Sequence, residues 1–293
     1  KSAERLGVLI ESLILSFNAS SIKKKVQLII VNDSPDYRFD ETILNNLISD
    51  CPQQIYIEFL SNDLNVGVAQ SRNIGRTNAT GEFLTFIDQD DFVSRDYFEV
   101  LFTALSDKYD LFILNAYHFW EESNLKVPIF YVKPKFTLFN ILRNCFILTP
   151  GLIVYKNDFL KMEFISYDKY YTGSDDWALY LKILNESNPK IRFINKKIFN
   201  YITHEQNESG NRIKFIGSSL ITILNFKSKK HIIIQKIKKY FLSQEFKLLQ
   251  IQKECNGRKE FHTVNPKLLN KLMGISINNL IYIIFKNYRI IFK

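Results

Sequence analysis

Hydrophobic positions in the first two-thirds of the chain follow two alternating periods. Leu6, Leu9, Ile10, Leu13 and Phe17 recur at i, i+3, i+4, i+7 and i+11, the spacing that lines one face of an amphipathic helix. Val26 to Val31 (VQLIIV) is a short, nearly unbroken apolar run of the kind that forms a buried strand. A helix is expected near 40–50, a second strand over Ile55 to Leu60, and a helix over Val68 to Ala79 closed by Gly81. Glu82 to Ile87 reads as a third strand that runs into Asp88, Asp90 and Asp91. Phe98, Leu101, Phe102 and Leu105 mark another helix face, and Asp110 to Asn115 another strand. Strands separated by helices imply a doubly wound, mostly parallel α/β sheet. Ligands of such sheets bind beyond the C-terminal strand ends, and that is where Asp33, Asp88 and Asp90 stand. Past Leu152 the pattern is less regular, with a helix over about Asp175 to Asn185 and strand-like stretches within 191–203. The chain from about 214 reads as helical, and no internal repeat or low-complexity linker interrupts it.

Composition narrows the class. With 293 residues, 46% hydrophobic and 24% charged, the chain is long enough to bury a core and fits neither wholesale disorder nor a multispanning membrane protein. Cys51, Cys145 and Cys255 are odd in number and far apart, without C-x-x-C spacing. A disulfide framework and a thiolate zinc site are excluded as organising principles, and a reducing compartment is expected. The net charge of +9 is unevenly spread: residues 214–293 hold 16 Lys/Arg against 3 Asp/Glu, leaving 23 against 27 in residues 1–213. A basic tail suits nucleic acid, an anionic membrane or plain water, and composition does not choose. Its longest uncharged run, Leu272 to Phe285, has 14 residues, short of the roughly 18–20 that span a bilayer. The opening KSAERLGVLIESL has neither the apolar core nor the cleavage site of a signal peptide.

The sharpest local signal is Asp-Gln-Asp-Asp at 88–91, directly after an apolar strand. Carboxylates at i and i+2 on a turn can hold a divalent cation such as Mg2+ or Mn2+ through hard oxygens while leaving room for phosphate. A solvated turn leading to a helix N-cap, Asp96 included, would look the same. The surrounding stretch, Asn65 to Asp91 (NVGVAQSRNIGRTNATGEFLTFIDQDD), resembles the signature of inverting family 2 glycosyltransferases with the GT-A fold. It carries that family's N-x-G, S-R-N-x-G, A-x-G-E-aromatic and D-x-D-D elements in order. Upstream, VQLIIVNDSPD resembles the strand ending in V-D-D-G-S, with Asn32 replacing the first Asp and Ser34 the Gly.

The resemblance implies roles residue by residue. Asp33 would accept a hydrogen bond from the nucleobase, and Arg72 would hold Asp33 or a phosphate through paired charge-assisted bonds. Asp88 and Asp90 would place the metal, Mn2+ or Mg2+, and the ribose against the diphosphate, with His204 as a further metal contact. Gly67 and Gly75 read as structural. In Gly173-Ser174-Asp175-Asp176-Trp177 the resemblance places the base that deprotonates the acceptor, Asp176 ahead of Asp175. Ser174 or Asp175 would otherwise serve only as a cap, and Trp177 either stacks on an acceptor sugar or fills the core. The family's opening strand, of the type S-V-I-I-P-x-Y-N, has no counterpart here. A central strand cannot be missing without exposing its neighbours' ladders, so about ten residues are expected to precede Lys1 in the native chain.

The expected organisation is a GT-A catalytic domain over 1–213, with a nucleotide-sugar half over 1–115 and an acceptor half over 116–213, followed by a basic, mainly helical region over 214–293. The expected function is metal-dependent, inverting transfer of a sugar from a nucleotide-sugar donor, UDP-linked as in most relatives, to a glycan or lipid-linked glycan of the bacterial surface-polysaccharide type. A catalytically silent nucleotide-sugar-binding or scaffold subunit is the alternative. In the tail, Ile233, Ile237, Tyr240, Phe241 and Leu248 share one helical arc edged by Lys229, Lys236, Lys239 and Lys247, which suits an anionic membrane surface. Docking on the catalytic domain and a subunit contact compete with that reading. Nucleic acid is not expected, because no recognised module accompanies the charge. The expected location is cytoplasmic, extending to a peripheral position on the inner face of the membrane.

Overall fold

The apolar stripe of residues 6–17 forms helix α1 (Ser2–Ala19), and its two edges face different partners. Leu6 and Ile10 close over Ile30, whereas Leu9, Leu13 and Phe17 enter the main core, Phe17 meeting Phe98 edge-on with ring centres 5.5 Å apart. The computed structural model that shows this describes residues 2–36, 51–205, 207, 211–228 and 230–256. The helix expected near 40–50 and the run Leu272 to Phe285 lie outside them.

Strands β1 (Val26–Asn32) and β2 (Ile55–Ser61) pair in parallel, Val26 opposite Ile55 through Asn32 opposite Ser61. Helix α2 (Val68–Asn78) packs back on β1. At Gly75 an added Cβ would sit 3.6 Å from a Val31 methyl, an ordinary contact, so close packing alone does not demand glycine there.

The remaining strands are β3 (Phe83–Leu84), β4 (Phe92–Val93), β5 (Leu111–Trp120), β6 (Leu125–Pro128), β7 (Ile153–Lys156) and β8 (Ile191–Thr203). They form a second sheet in the order β3-β7-β5-β8-β4, with β6 on β5. The long β5–β8 pair is parallel, and the other pairs are antiparallel. Connection length accounts for two of these pairings: the short turn after β5 can only return β6 antiparallel, and the parallel β8 needs the long crossover through helices α4 (Leu138–Arg143) and α5 (Asp175–Glu186). The expected strand 82–87 keeps two ladder residues, and its continuation is held by the Thr85 hydroxyl on the Ile153 carbonyl at 2.9 Å.

The β5–β8 register shifts on both sides of Asn115. That residue is fully buried, and its amide donates to the Phe130 and Asn195 carbonyls at 2.9 and 3.1 Å and accepts from the Ala116 and Phe130 amides. The side chain thus satisfies backbone groups that the irregularity removes from the ladder. Helix α3 (Tyr97–Ala104) covers this sheet beside α1. Helices α6 (Arg212–Asn225) and α7 (Ile232–Asn256) pack on each other, and α7 reaches α4, where the Lys238 ammonium donates to the Arg143 carbonyl at 3.0 Å. Among the described residues no helix is long and apolar enough to cross a membrane.

Candidate active site

The end of β1 is bound to the start of α2 by one carboxylate. Asp33 accepts from the Asn62 side-chain amide at 2.8 Å and from the backbone N–H groups of Val66 and Gly67 at 2.8 and 2.7 Å. Asn65 returns a bond from its side chain to the Asp33 carbonyl at 2.9 Å. Gly67 sits at φ 84°, a left-handed conformation that favours glycine, so its structural reading holds. Asp33 therefore shapes the loop at the strand ends, and Arg72 does not reach it.

Arg72 projects from α2 into the centre of the site. One guanidinium nitrogen donates to Asp88 at 2.7 Å and another to Asp175 at 2.6 Å, with the plane over the Phe164 ring. The loop after β3 and the first turn of α5, which are remote in sequence, are thereby locked to one cation. Burial works against the charge, but Asp88, Asp175 and Asp176 outweigh it and hold the Arg72 pKa above its ordinary value. In place of the expected contact with Asp33, Arg72 holds two other carboxylates.

The acidic cluster divides by role. Asp91 is buried and accepts from the Ile202 amide at 2.9 Å and the Thr149 hydroxyl at 3.3 Å. Burial and the neighbouring Asp88 push its pKa well up, against those hydrogen bonds. It anchors the turn to β8. Asp90 meets the His204 ring at 2.9 Å and the Asn207 side-chain amide at 3.1 Å, and Asn207 in turn accepts from the His204 backbone N–H. Asp88 gives one oxygen to Arg72 and takes the Thr149 hydroxyl on the other at 3.3 Å.

At the head of α5, Asp175 is buried against Arg72. Asp176 is half-buried and accepts from the Trp177 amide at 2.6 Å. Desolvation first, then the like charge of Asp175, raise its pKa to about 7, although Arg72 and that amide pull the other way. Ser174 holds the N-cap position without a capping bond, because its hydroxyl pairs with Ser219 of α6 at 3.0 Å. Trp177 is 5% exposed, donates from its indole to the Ile141 carbonyl at 2.9 Å and has Lys238 over its ring. The expected stacking on an acceptor sugar gives way to the core reading, since α4 and α7 cover the ring.

Thr149 and Asn207 belong to this constellation and were not singled out from sequence. Asn207, three residues after His204, had a local signal in the turn it closes. Thr149 had none, being joined to Asp88 and Asp91 only by the fold.

Among the described residues no cluster of three or more His, Cys, Asp or Glu is arranged to hold a metal. Asp90 and His204 provide one hard oxygen donor and one imidazole in direct contact. The carboxylate suits either Mn2+ or Mg2+ completed by phosphate oxygens and water, and the imidazole favours Mn2+ of the two.

The family model described as glycosyl transferase family 2 matches residues 2–163. The chain is 29% identical over 103 residues to glycosyltransferase GlyA of Streptococcus pneumoniae serotype 4, which covers 35% of this chain and 14% of that protein. It is 34% identical over 95 residues to the Bacillus subtilis protein named "Putative glycosyltransferase EpsH", covering 31% and 25%. The matched stretches thus span a quarter or less of these relatives. Among solved structures, S. aureus TarS 1-349 in complex with UDP-GlcNAc superposes with a TM-score of 0.57 at 17% identity, covering 84% of this chain and 68% of that one. The mannosyltransferase PcManGT from Pyrobaculum calidifontis, in complex with GDP-Man and Mn2+, gives 0.53 at 14% identity, covering 79% and 65%. At these identities the likeness is one of fold, and the fold is GT-A.

Proposed function

Because the chain belongs to glycosyl transferase family 2, we propose that it transfers a sugar from a UDP-linked donor to a hydroxyl of a glycan or lipid-linked glycan, with inversion at the sugar C1. The observation that carries this reading is the Arg72 bridge. It sets the strand-end carboxylate Asp88 and the α5 carboxylate Asp175 on one cation, with Asp176 beside them near neutrality. A donor at the strand ends and an acceptor at α5 would then meet across Arg72.

In this mechanism ionised Asp176 takes the proton of the acceptor hydroxyl. The oxygen attacks C1 from the side opposite the diphosphate, and the C1–O bond to the diphosphate breaks with its electron pair leaving on phosphate. A pKa near the working pH balances the fraction of ionised base against its proton affinity. Asp175, held in place by Arg72, sets a like charge beside Asp176 that raises its proton affinity. The loop that Asp33 ties together is where the base and ribose would rest. Asp90 and His204 are the residues that would hold a divalent cation, whose chemistry is to neutralise charge on the departing diphosphate.

Residues 1–213 act in this reading as the catalytic unit, 1–115 on the donor side and 116–213 on the acceptor side. The basic helices from 214 pack on the acceptor side and place the enzyme at the cytoplasmic face of a membrane carrying the lipid-linked acceptor. The test is nucleoside diphosphate release from a panel of UDP- and GDP-sugars, with Mn2+, with Mg2+ and with chelator. Metal-supported release with a UDP-sugar is expected. Nucleotide binding with no turnover under any of these conditions would favour a silent scaffold subunit.

A further inference from the structure

A surface cleft lies beside the loop that leads into α5, outside the residues matched to the family model. It is an open cleft of about 390 Å3 lined by Tyr170, Tyr171, Ile213, Gln250 and Lys253. One wall is α6, where Ile213 and Gly217 stand one turn apart. The other is α7, where Phe246, Gln250 and Lys253 recur at i, i+4 and i+7 and so share a face. The lip is the loop that runs into Asp175 and Asp176.

Two features show that this loop is built to present its aromatic rings. The Asp168 carboxylate accepts from the Tyr170 and Tyr171 amides at 2.8 and 2.9 Å, pinning the backbone. The Tyr171 ring lies so close to Gly217 that a Cβ there would fall 2.3 Å from it, and it meets Phe246 and Tyr170 edge-on with ring centres 5.4 and 4.9 Å away. Tyr171 is thus wedged between the helices, while Tyr170 stays 54% exposed with the Lys214 ammonium 5.6 Å from its ring centre. Lys253 is the cation in the lining itself, and Lys214 stands over the Tyr170 ring at its edge. Of the acids on these elements, Asp168 accepts from the loop amides and Glu245 pairs with Arg212.

We infer that this cleft is an acceptor subsite for an anionic saccharide, seated on the Tyr170 ring with its acidic substituent facing Lys214 and Lys253. An open aromatic face with flanking donors and cations is the chemistry that recognises a charged sugar. Asp176 is five residues from Tyr171, at most about 18 Å even along an extended chain, so the acceptor's reacting end and this subsite fit one glycan. The inference rests on the transferase reading and extends it to the class of acceptor.

Calorimetry on the full chain tests it, with the carboxylated hexasaccharide of hyaluronan and the neutral hexasaccharide of chitin as probes. The carboxylated probe should bind the more tightly and weaken as salt rises. Lys253→Glu should lower that affinity about tenfold while leaving the neutral probe unchanged, and Tyr170→Ala should lower both. Melting temperature and UDP affinity, measured alongside, report on the fold and the donor site. Equal affinity of both variants and the parent, no binding of either probe to the parent, or losses matched by a fall in melting temperature would overturn the subsite. Absence of UDP binding with intact glycan binding would instead count against the donor reading alone.

Discussion

Asp176 and Arg72 concentrate the electrostatics of the site, and each makes a separate prediction. With its pKa raised to about 7, Asp176 should give a transfer rate that climbs as pH rises through that value. Asp176→Asn should lower transfer by about 10²- to 10⁴-fold, with UDP affinity retained. The same shift has a stability sign. From about pH 4, the ordinary carboxylate value, to about 7 the folded state binds more protons than the unfolded one, so Asp176 makes stability fall as pH rises. The Asn variant should therefore melt a few degrees above the parent at pH 8, and the gap should close below pH 4. Arg72 works in the opposite sense. Its removal leaves Asp88 and Asp175 facing each other without a counter-charge, and Arg72→Ala should cost about 3–5 kcal/mol in urea unfolding at pH 7. Lowering the pH, by protonating those carboxylates, should recover part of the loss.

Secondary-structure elements carry function here through the way they end. β1 ends in a carboxylate that caps the loop before α2, and β8 ends in His204 beside Asp90. α5 begins with the acid pair, so its N-terminal dipole favours the ionised forms while mutual repulsion resists them. The irregular register at Asn115 lies midway along the β5–β8 pair, and one side chain bridges it. Asn115→Ala would orphan buried backbone groups of Ala116, Phe130 and Asn195. A loss of about 1–3 kcal/mol is expected for leaving such groups unsatisfied, read as a lower urea midpoint with an unchanged slope.

At the scale of the molecule, charge and exposed apolar surface coincide on α7. Ile233, Ile237 and Tyr240 are 70%, 50% and 39% exposed on one stripe, with Lys236 and Lys239 among them. Leu242 is buried in the core, and Phe246 packs on Tyr171, so the helix is held by its other side. Deleting it would remove core contacts, which makes point changes the cleaner probe. If the stripe meets an anionic membrane, the double change Ile233→Glu and Ile237→Glu should abolish co-sedimentation with phosphatidylserine vesicles. The parent should bind at low salt and release as salt rises, each basic residue contributing about 1 kcal/mol near such a surface. Unchanged sedimentation of the variant would assign the stripe to a protein contact.

Reading along the chain was sufficient wherever function depends on local order. The stripe of α1, the apolar runs of β1 and β2 and the 65–91 pattern come from spacing that neighbouring residues enforce on each other, and they placed the strand-end acids and the family. Spacing could not say which acid faces which partner. Arg72 was expected near Asp33 and is bound to Asp88 and Asp175, because the fold brings the head of α5, 103 residues away, against α2. Trp177 could have faced a sugar until α4 and α7 closed over it. Asp90 and Asp91 are adjacent in sequence, yet one meets an imidazole and the other a buried amide. Burial and long-range contacts set the pKa of Asp176 as well. These are energies of desolvation and of pairing across distant segments, which only the tertiary structure assembles.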